Sequence, residues 1–202
     1  MADFSKNKSA QFIEIPLTGN SARISRWLDK DDLQFAGDFM GLGHSQVLFI
    51  NRNHTRDDKE KAILLDFSSE ISSPSIKYQE NWKDSSSSLS PSWVDADDTQ
   101  LVGDFMGRGY SQMLFVNHGK KRGKIAIMDF SKSGGKPPAS ILVADNWNGS
   151  DLFEGWLDLN DTMIAGDFKG LGYSQVLFLN SSNNGTNATI VEFASGKPLI
   201  AF

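Results

Sequence analysis

Trp27-Leu28-Asp29-Lys30-Asp31-Asp32-Leu33-Gln34-Phe35-Ala36-Gly37-Asp38-Phe39-Met40-Gly41-Leu42-Gly43-His44-Ser45-Gln46-Val47-Leu48-Phe49-Ile50-Asn51 is one phrase that this chain writes three times. The second copy runs from Trp93 to Asn117 and the third from Trp156 to Asn180, and 13 of the 25 positions are identical in all three. The distance from the Trp to the Gly of Gly-Asp-Phe is 10 residues each time. A register this strict marks a repeat protein, in which each unit buries an apolar face against its neighbours.

Successive Gly-Asp-Phe positions lie 66 and 63 residues apart, long enough for four strands per unit. The pattern predicts a first strand at Leu33–Phe39, Gln100–Phe105 and Met163–Phe168, ending at a turn in which two glycines supply positive φ. A second strand at Gln46–Asn51, Gln112–Asn117 and Gln175–Asn180 is almost continuously apolar, as expected of a strand covered on both faces. A third is expected at Ala62–Phe67, Ile125–Phe130 and Thr189–Phe193, each with an acidic residue before the final Phe. The fourth, Ser75–Trp82, Ala139–Trp147 and Pro198–Phe202, is irregular, which suits an outer edge. No helical period survives a count, so the expected class is all-β. Residues 11–27 read as a partial unit, with Phe12–Ile15 as a third strand and Ala22–Trp27 as a fourth. The whole of 1–202 is expected to form one repeat domain with units at 27–92, 93–155 and 156–202.

The bulk numbers narrow the function. A formal charge of −5, from 20 basic and 25 acidic residues mixed along the chain, gives no footprint for a phosphate backbone, so nucleic acid is not an expected partner. The basic group Lys120-Lys121-Arg122 with Lys124 reads as a solvated hairpin tip. With no cysteine, disulfides, thiolate metal sites and a cysteine nucleophile are excluded. No apolar signal-peptide core follows Met1, and no run approaches the roughly 18 apolar residues of a membrane span. A soluble protein is expected, cytoplasmic or exported without a signal. The sequons at Asn53, Asn148, Asn160, Asn180, Asn184 and Asn187 read as products of Asn/Ser/Thr-rich loops.

A four-stranded unit carrying Gly-Asp-Phe-x-Gly-x-Gly between its first two strands resembles the FG-GAP/VCBS repeats of integrin-like β-propellers. That resemblance implies a propeller of four-stranded antiparallel blades. It also implies a calcium loop, since the family commonly places oxygen ligands at alternate positions after the first Asp, as a hard ion of six to eight oxygens requires. Here Asp38, Asp104 and Asp167 are kept, but the third ligand position holds Met40, Met106 and Lys169. The fifth holds Leu42, Arg108 and Leu171, and the ninth Gln46, Gln112 and Gln175. One carboxylate among apolar and basic neighbours cannot replace a hydration shell, so no metal and no cofactor are expected. The retained Asp is expected to accept backbone N–H groups of its own turn. Three units do not close a propeller ring, for which four to eight blades are typical, so two chains are expected to associate as a homodimer with six blades, or slightly more if the partial unit at 11–27 counts as a blade partner.

Three sets of residues invite a ligand. Trp27, Trp93 and Trp156 open the units, while Trp82 and Trp147 follow Asn81 and Asn146. Indole faces stack on sugars and cations, but they also fill gaps between twisted sheets. The first set leans to packing, and the second is evenly balanced. His44, Tyr110 and Tyr173 form a row just after the second glycine of each turn, either contacting a small ligand or glycan or packing in place of the lost ion. The acidic sites Asp31-Asp32, Asp97-Asp98 and Asp161 recur in every unit, which favours turn chemistry over acid/base catalysis. No unit gains a convergent titratable cluster, and the histidines form no triad, so no catalytic residue is assigned. The expected function is a non-enzymatic binding module, carbohydrate-binding and lectin-like, with repeated equivalent sites that add avidity. A protein-interaction or toxin-associated scaffold is the alternative, and a propeller-based hydrolase or lyase the second alternative.

Overall fold

A computed structural model describes residues 32–51, 61–69, 74–81, 98–117, 124–131, 140–146, 161–182, 185–195 and 199–201. They form twelve strands in three four-stranded sheets and contain no helix. The first sheet holds β1 (Leu33–Gly37), β2 (Gln46–Ile50), β3 (Lys61–Asp66) and β4 (Ser75–Asn81). β5 (Thr99–Gly103), β6 (Gln112–Asn117), β7 (Lys124–Asp129) and β8 (Ser140–Asn146) make the second. β9 (Thr162–Gly166), β10 (Gln175–Ser182), β11 (Gly185–Glu192) and β12 (Leu199–Ala201) make the third. Each is an antiparallel meander in which chain order equals spatial order. The partial unit at 11–27 lies outside the described residues, as do the five tryptophans.

The first strand of each unit stops at the Gly of Gly-Asp-Phe, two residues earlier than the sequence suggests. The reason is local: the Asp leaves the ladder to cap the turn, and the following Phe turns away from the strand. Both turn glycines take positive φ in every unit, from 63° to 80°. Elsewhere the strands begin or end within a few residues of expectation; the largest changes are β10, extended to Ser182, and β11, extended back to Gly185. The outer-edge position expected of the fourth strand is observed for β4, β8 and β12.

Strand periodicity places alternate side chains on opposite faces, and the registers say which. On the face that each sheet turns toward the next unit, here the following face, the first carries Leu48, Ile50 and Leu64, and Met113, Phe115, Ala126 and Met128 of the second sheet close against them as one core. Leu114, Val116, Ile125 and Ile127, on the other face of the second sheet, pack with Val176, Phe178 and Val191 of the third. The middle sheet is therefore covered on both faces, and Gln112–Val116 of β6 is buried throughout. In β2 burial alternates between full and half; Val47 and Phe49 lie on the first sheet's other face, where Phe49 and Phe67 pack against the buried Ile63 and Leu65.

The same joint is built twice. The N–H of Ser111 donates to the carbonyl of Asp38 at 2.8 Å, and that of Ser174 to the carbonyl of Asp104 at 2.9 Å. The Ser174 hydroxyl also accepts from Asp104 N–H at 3.1 Å. Close approach at these points requires glycine: a Cβ on Gly37 would stand 2.8 Å from Ser111 Oγ, and one on Gly103 2.6 Å from Ser174 Oγ. Each joint is locked by an edge-to-face pair, Phe39 with Phe130 at 5.8 Å and Phe105 with Phe193 at 6.1 Å. Such pairs add about 1 kcal/mol beyond their area burial.

Candidate functional site: the turn end of the sheets

At the turn between the first two strands, Asp38 accepts two amides: Leu42 N–H on Oδ1 and Gly43 N–H on Oδ2, both at 2.8 Å. Asp104 does the same for Arg108 and Gly109, at 2.8 and 2.7 Å, and Asp167 for Leu171 and Gly172, at 2.8 and 2.9 Å. These amides hold the Asp167 carboxyl below its ordinary range, Gly172 N–H foremost and Leu171 N–H next. This is the role expected of the retained Asp.

The glutamine at the ninth loop position completes the turn. Gln46, Gln112 and Gln175 are fully buried. Each accepts a loop N–H on Oε1, from Met40, Met106 and Lys169 at 3.1, 3.1 and 3.2 Å. Each donates its Nε2 to the carbonyl of His44, Tyr110 and Tyr173, at 2.6, 2.6 and 2.7 Å. One neutral amide thereby ties both sides of the loop together, with a donor and an acceptor where an ion would need only acceptors. Among the described residues no three His, Cys, Asp or Glu side chains converge as a metal group.

The row of His44, Tyr110 and Tyr173 does not stand free. His44 Nε2 lies 3.0 Å from Asp66 Oδ1, Tyr110 donates its hydroxyl to Asp129 Oδ2 at 2.9 Å, and Tyr173 to Glu192 Oε2 at 3.1 Å. The partner is in each case the acidic residue that ends the third strand. A cation then closes each clasp: Lys77 on Asp66 at 3.3 Å, Arg108 on Asp129 at 2.6 Å, and Lys169 on Glu192 at 3.0 Å. In the middle unit Ser131 Oγ adds a hydrogen bond to Tyr110 OH at 3.1 Å. Tyr110 also reaches the preceding unit, since a Cβ on Gly41 would sit 3.3 Å from its ring, and Tyr173 approaches Gly107 in the same way.

The clasps differ in electrostatics. Burial pushes the Asp66 carboxyl up, but Ser68, His44 and Lys77 donate to it and together hold it down at about 2. Glu192 is lowered chiefly by Lys169, against burial and with help from Tyr173. Burial and the neighbouring carboxylates raise Tyr173, so its hydroxyl remains a donor at neutral pH.

The acid of the third strand is the residue whose role the sequence reading missed. Its signal was its recurrence before the final Phe in every unit, beside the equally regular His/Tyr position. Asn81 and Asn146 end β4 and β8, and their side chains, like Trp27, Trp82, Trp93, Trp147 and Trp156, lie outside what is described. Asp32, Asp98 and Asp161 are buried at the entrance to β1, β5 and β9.

Compared with family models, with curated proteins and with solved structures, the chain matches none.

Proposed function

We propose that this protein is a non-enzymatic binding module of the propeller type, carbohydrate-binding, that presents repeated contacts from the turn end of its sheets, with the ring completed by a second chain. The observation that carries the reading is the threefold recurrence of a part-exposed clasp: an aromatic or imidazole group, a carboxylate and a cation, once per unit. A catalytic site is normally singular, whereas equivalent sites repeated at fixed spacing suit a multivalent ligand. Individually weak sugar contacts gain by effective concentration when they act together. Carboxylate and ammonium groups at the rim match the donor and acceptor pattern of polyol hydroxyls.

A glycan array probed with the intact protein, with and without calcium, tests this. Binding that is unchanged by a chelator, and that weakens in Tyr173→Phe, supports it. An array without binders contradicts it.

One observation favours the protein-interaction reading instead. Leu42 and Leu171 at the turn tips are about half exposed, with Arg108 at the equivalent position of the middle unit. Exposed apolar side chains beside an arginine are the usual anchors of a protein interface. Leu42→Ser with Leu171→Ser separates the two readings, because it spares a glycan site built on the clasps and removes the anchors of a protein partner.

A further inference from the structure

The third strand runs out through Asp66-Phe67-Ser68 in the first unit, Asp129-Phe130-Ser131 in the second and Glu192-Phe193-Ala194 in the third. That change opens one clasp of the three. An Asp side chain is short enough to accept the N–H two residues further on. Asp66 Oδ1 accepts that of Ser68 at 2.9 Å, and Asp129 Oδ1 that of Ser131 at 2.8 Å. Both carboxylates are thereby held against their own turns, with side chains 4% and 0% exposed. Glu192 is longer by one methylene and takes no N–H from Ala194, and its side chain is 18% exposed.

A count of acceptors agrees. An ionised carboxylate has room for about four hydrogen bonds. Asp66 takes donors from Ser68, His44 and Lys77, and Asp129 from Ser131, Arg108 and Tyr110, all at oxygens shut away from solvent. Among the described residues only Tyr173, on Oε2 at 3.1 Å, and Lys169, on Oε1 at 3.0 Å, donate to Glu192.

Lys169 is a second departure from the repeat. It stands where Met40 and Met106 pack against the two cores, yet its side chain is exposed and spends one of its three N–H groups on Glu192. The third turn end therefore shows a carboxylate with unspent lone pairs and an ammonium with unspent donors, 3.0 Å apart.

We propose that this open clasp, Glu192 with Lys169 and Tyr173, is the sugar site of the chain and takes a vicinal diol of a neutral sugar. One hydroxyl donates to Glu192 and its neighbour accepts from Lys169. It rests on the carbohydrate reading above and adds to it which turn end holds the ligand and which atoms choose it. Gauche hydroxyls on adjacent ring carbons stand about one hydrogen-bond length apart, which matches the separation of Nζ and Oε1. Tyr173, bonded to the other oxygen, keeps the carboxylate from turning away. The paired opposite charges favour a neutral polyol, because an anionic or a cationic ligand would meet a like charge. Lys77 and Arg108 at the other two turn ends have buried acids behind them and no accessible acceptor in the clasp.

The experiment closes the open clasp. Glu192→Asp with Ala194→Ser writes the acid and the serine of the middle unit into the third, and Lys169→Met writes in the residue of the other two turns. Wild type and variants are read on one array of neutral and acidic glycans, and the strongest neutral binder is then titrated by calorimetry. Both variants are expected to weaken binding about tenfold or more, since each removes hydrogen bonds to a charged group. Their thermal melting is expected to stay close to that of the wild type, so that the loss is one of contacts and not of folding.

Neutral glycans that bind both variants as they bind the wild type overturn the proposal and leave the carbohydrate reading standing. So does an array on which only charged glycans bind. An array without binders removes both.

Discussion

Asp66 is a nearly buried carboxylate that stays ionised because Ser68, His44 and Lys77 all donate to it. Its folded-state pKa, about 2, lies below the ordinary 3.8, so the unfolded chain binds the proton more readily. The stabilisation it gives is then fully present above the ordinary carboxylate range and is lost as pH falls through about 2. Asp66→Asn should lower stability at neutral pH by about 2 kcal/mol, and the gap to wild type should close on acidification. Urea titrations across that pH range measure it. Gln112 makes a second residue-scale case. Replacing it by Leu strands the Met106 N–H and the Tyr110 carbonyl, at a cost of about 1–3 kcal/mol in the same assay.

At the scale of the element, the turn between the first two strands was the most legible part of the chain. Its two glycines and its Asp announced a tight turn closed on the Asp carboxylate, and the positive φ values and the hydrogen bonds follow that reading. Strand order was also legible, because apolar runs separated by polar loops leave little freedom in a meander. What could not be read was the clasp. His44 and Asp66 are 22 residues apart, and only the pairing of the second with the third strand brings them together. Nor could the joint between sheets be read, since no local pattern says which glycine meets which serine. Gly103→Ala tests that joint: the added methyl meets Ser174 Oγ at 2.6 Å, so thermal unfolding should shift to lower temperature by the equivalent of about 1–3 kcal/mol. Gly166→Ala meets no serine, only the 42% exposed Phe168 ring at 3.1 Å, which has room to shift, and should lower the melting temperature less than Gly103→Ala.

For the whole molecule, two joints of one design stack three sheets, burying Phe39 and Phe105 while Phe168, the equivalent residue of the third sheet, is 42% exposed. Phe105 and Phe168 report directly on that asymmetry. Phe105→Ala empties a fully buried site and should cost about 3–5 kcal/mol. Phe168→Ala should cost much less, because the side chain is 42% exposed, and under the proposed pairing of two chains its effect should grow with protein concentration. The two joints bring the turn ends of successive units together, which is what repeated weak contacts need in order to act together.

Sedimentation velocity on the wild type and on Phe168→Asp, across micromolar concentrations, tests this account most directly. It predicts a wild-type species of twice the chain mass and a folded Phe168→Asp variant at the mass of one chain. A wild type that sediments as a single chain throughout, or a variant that still pairs, would contradict it.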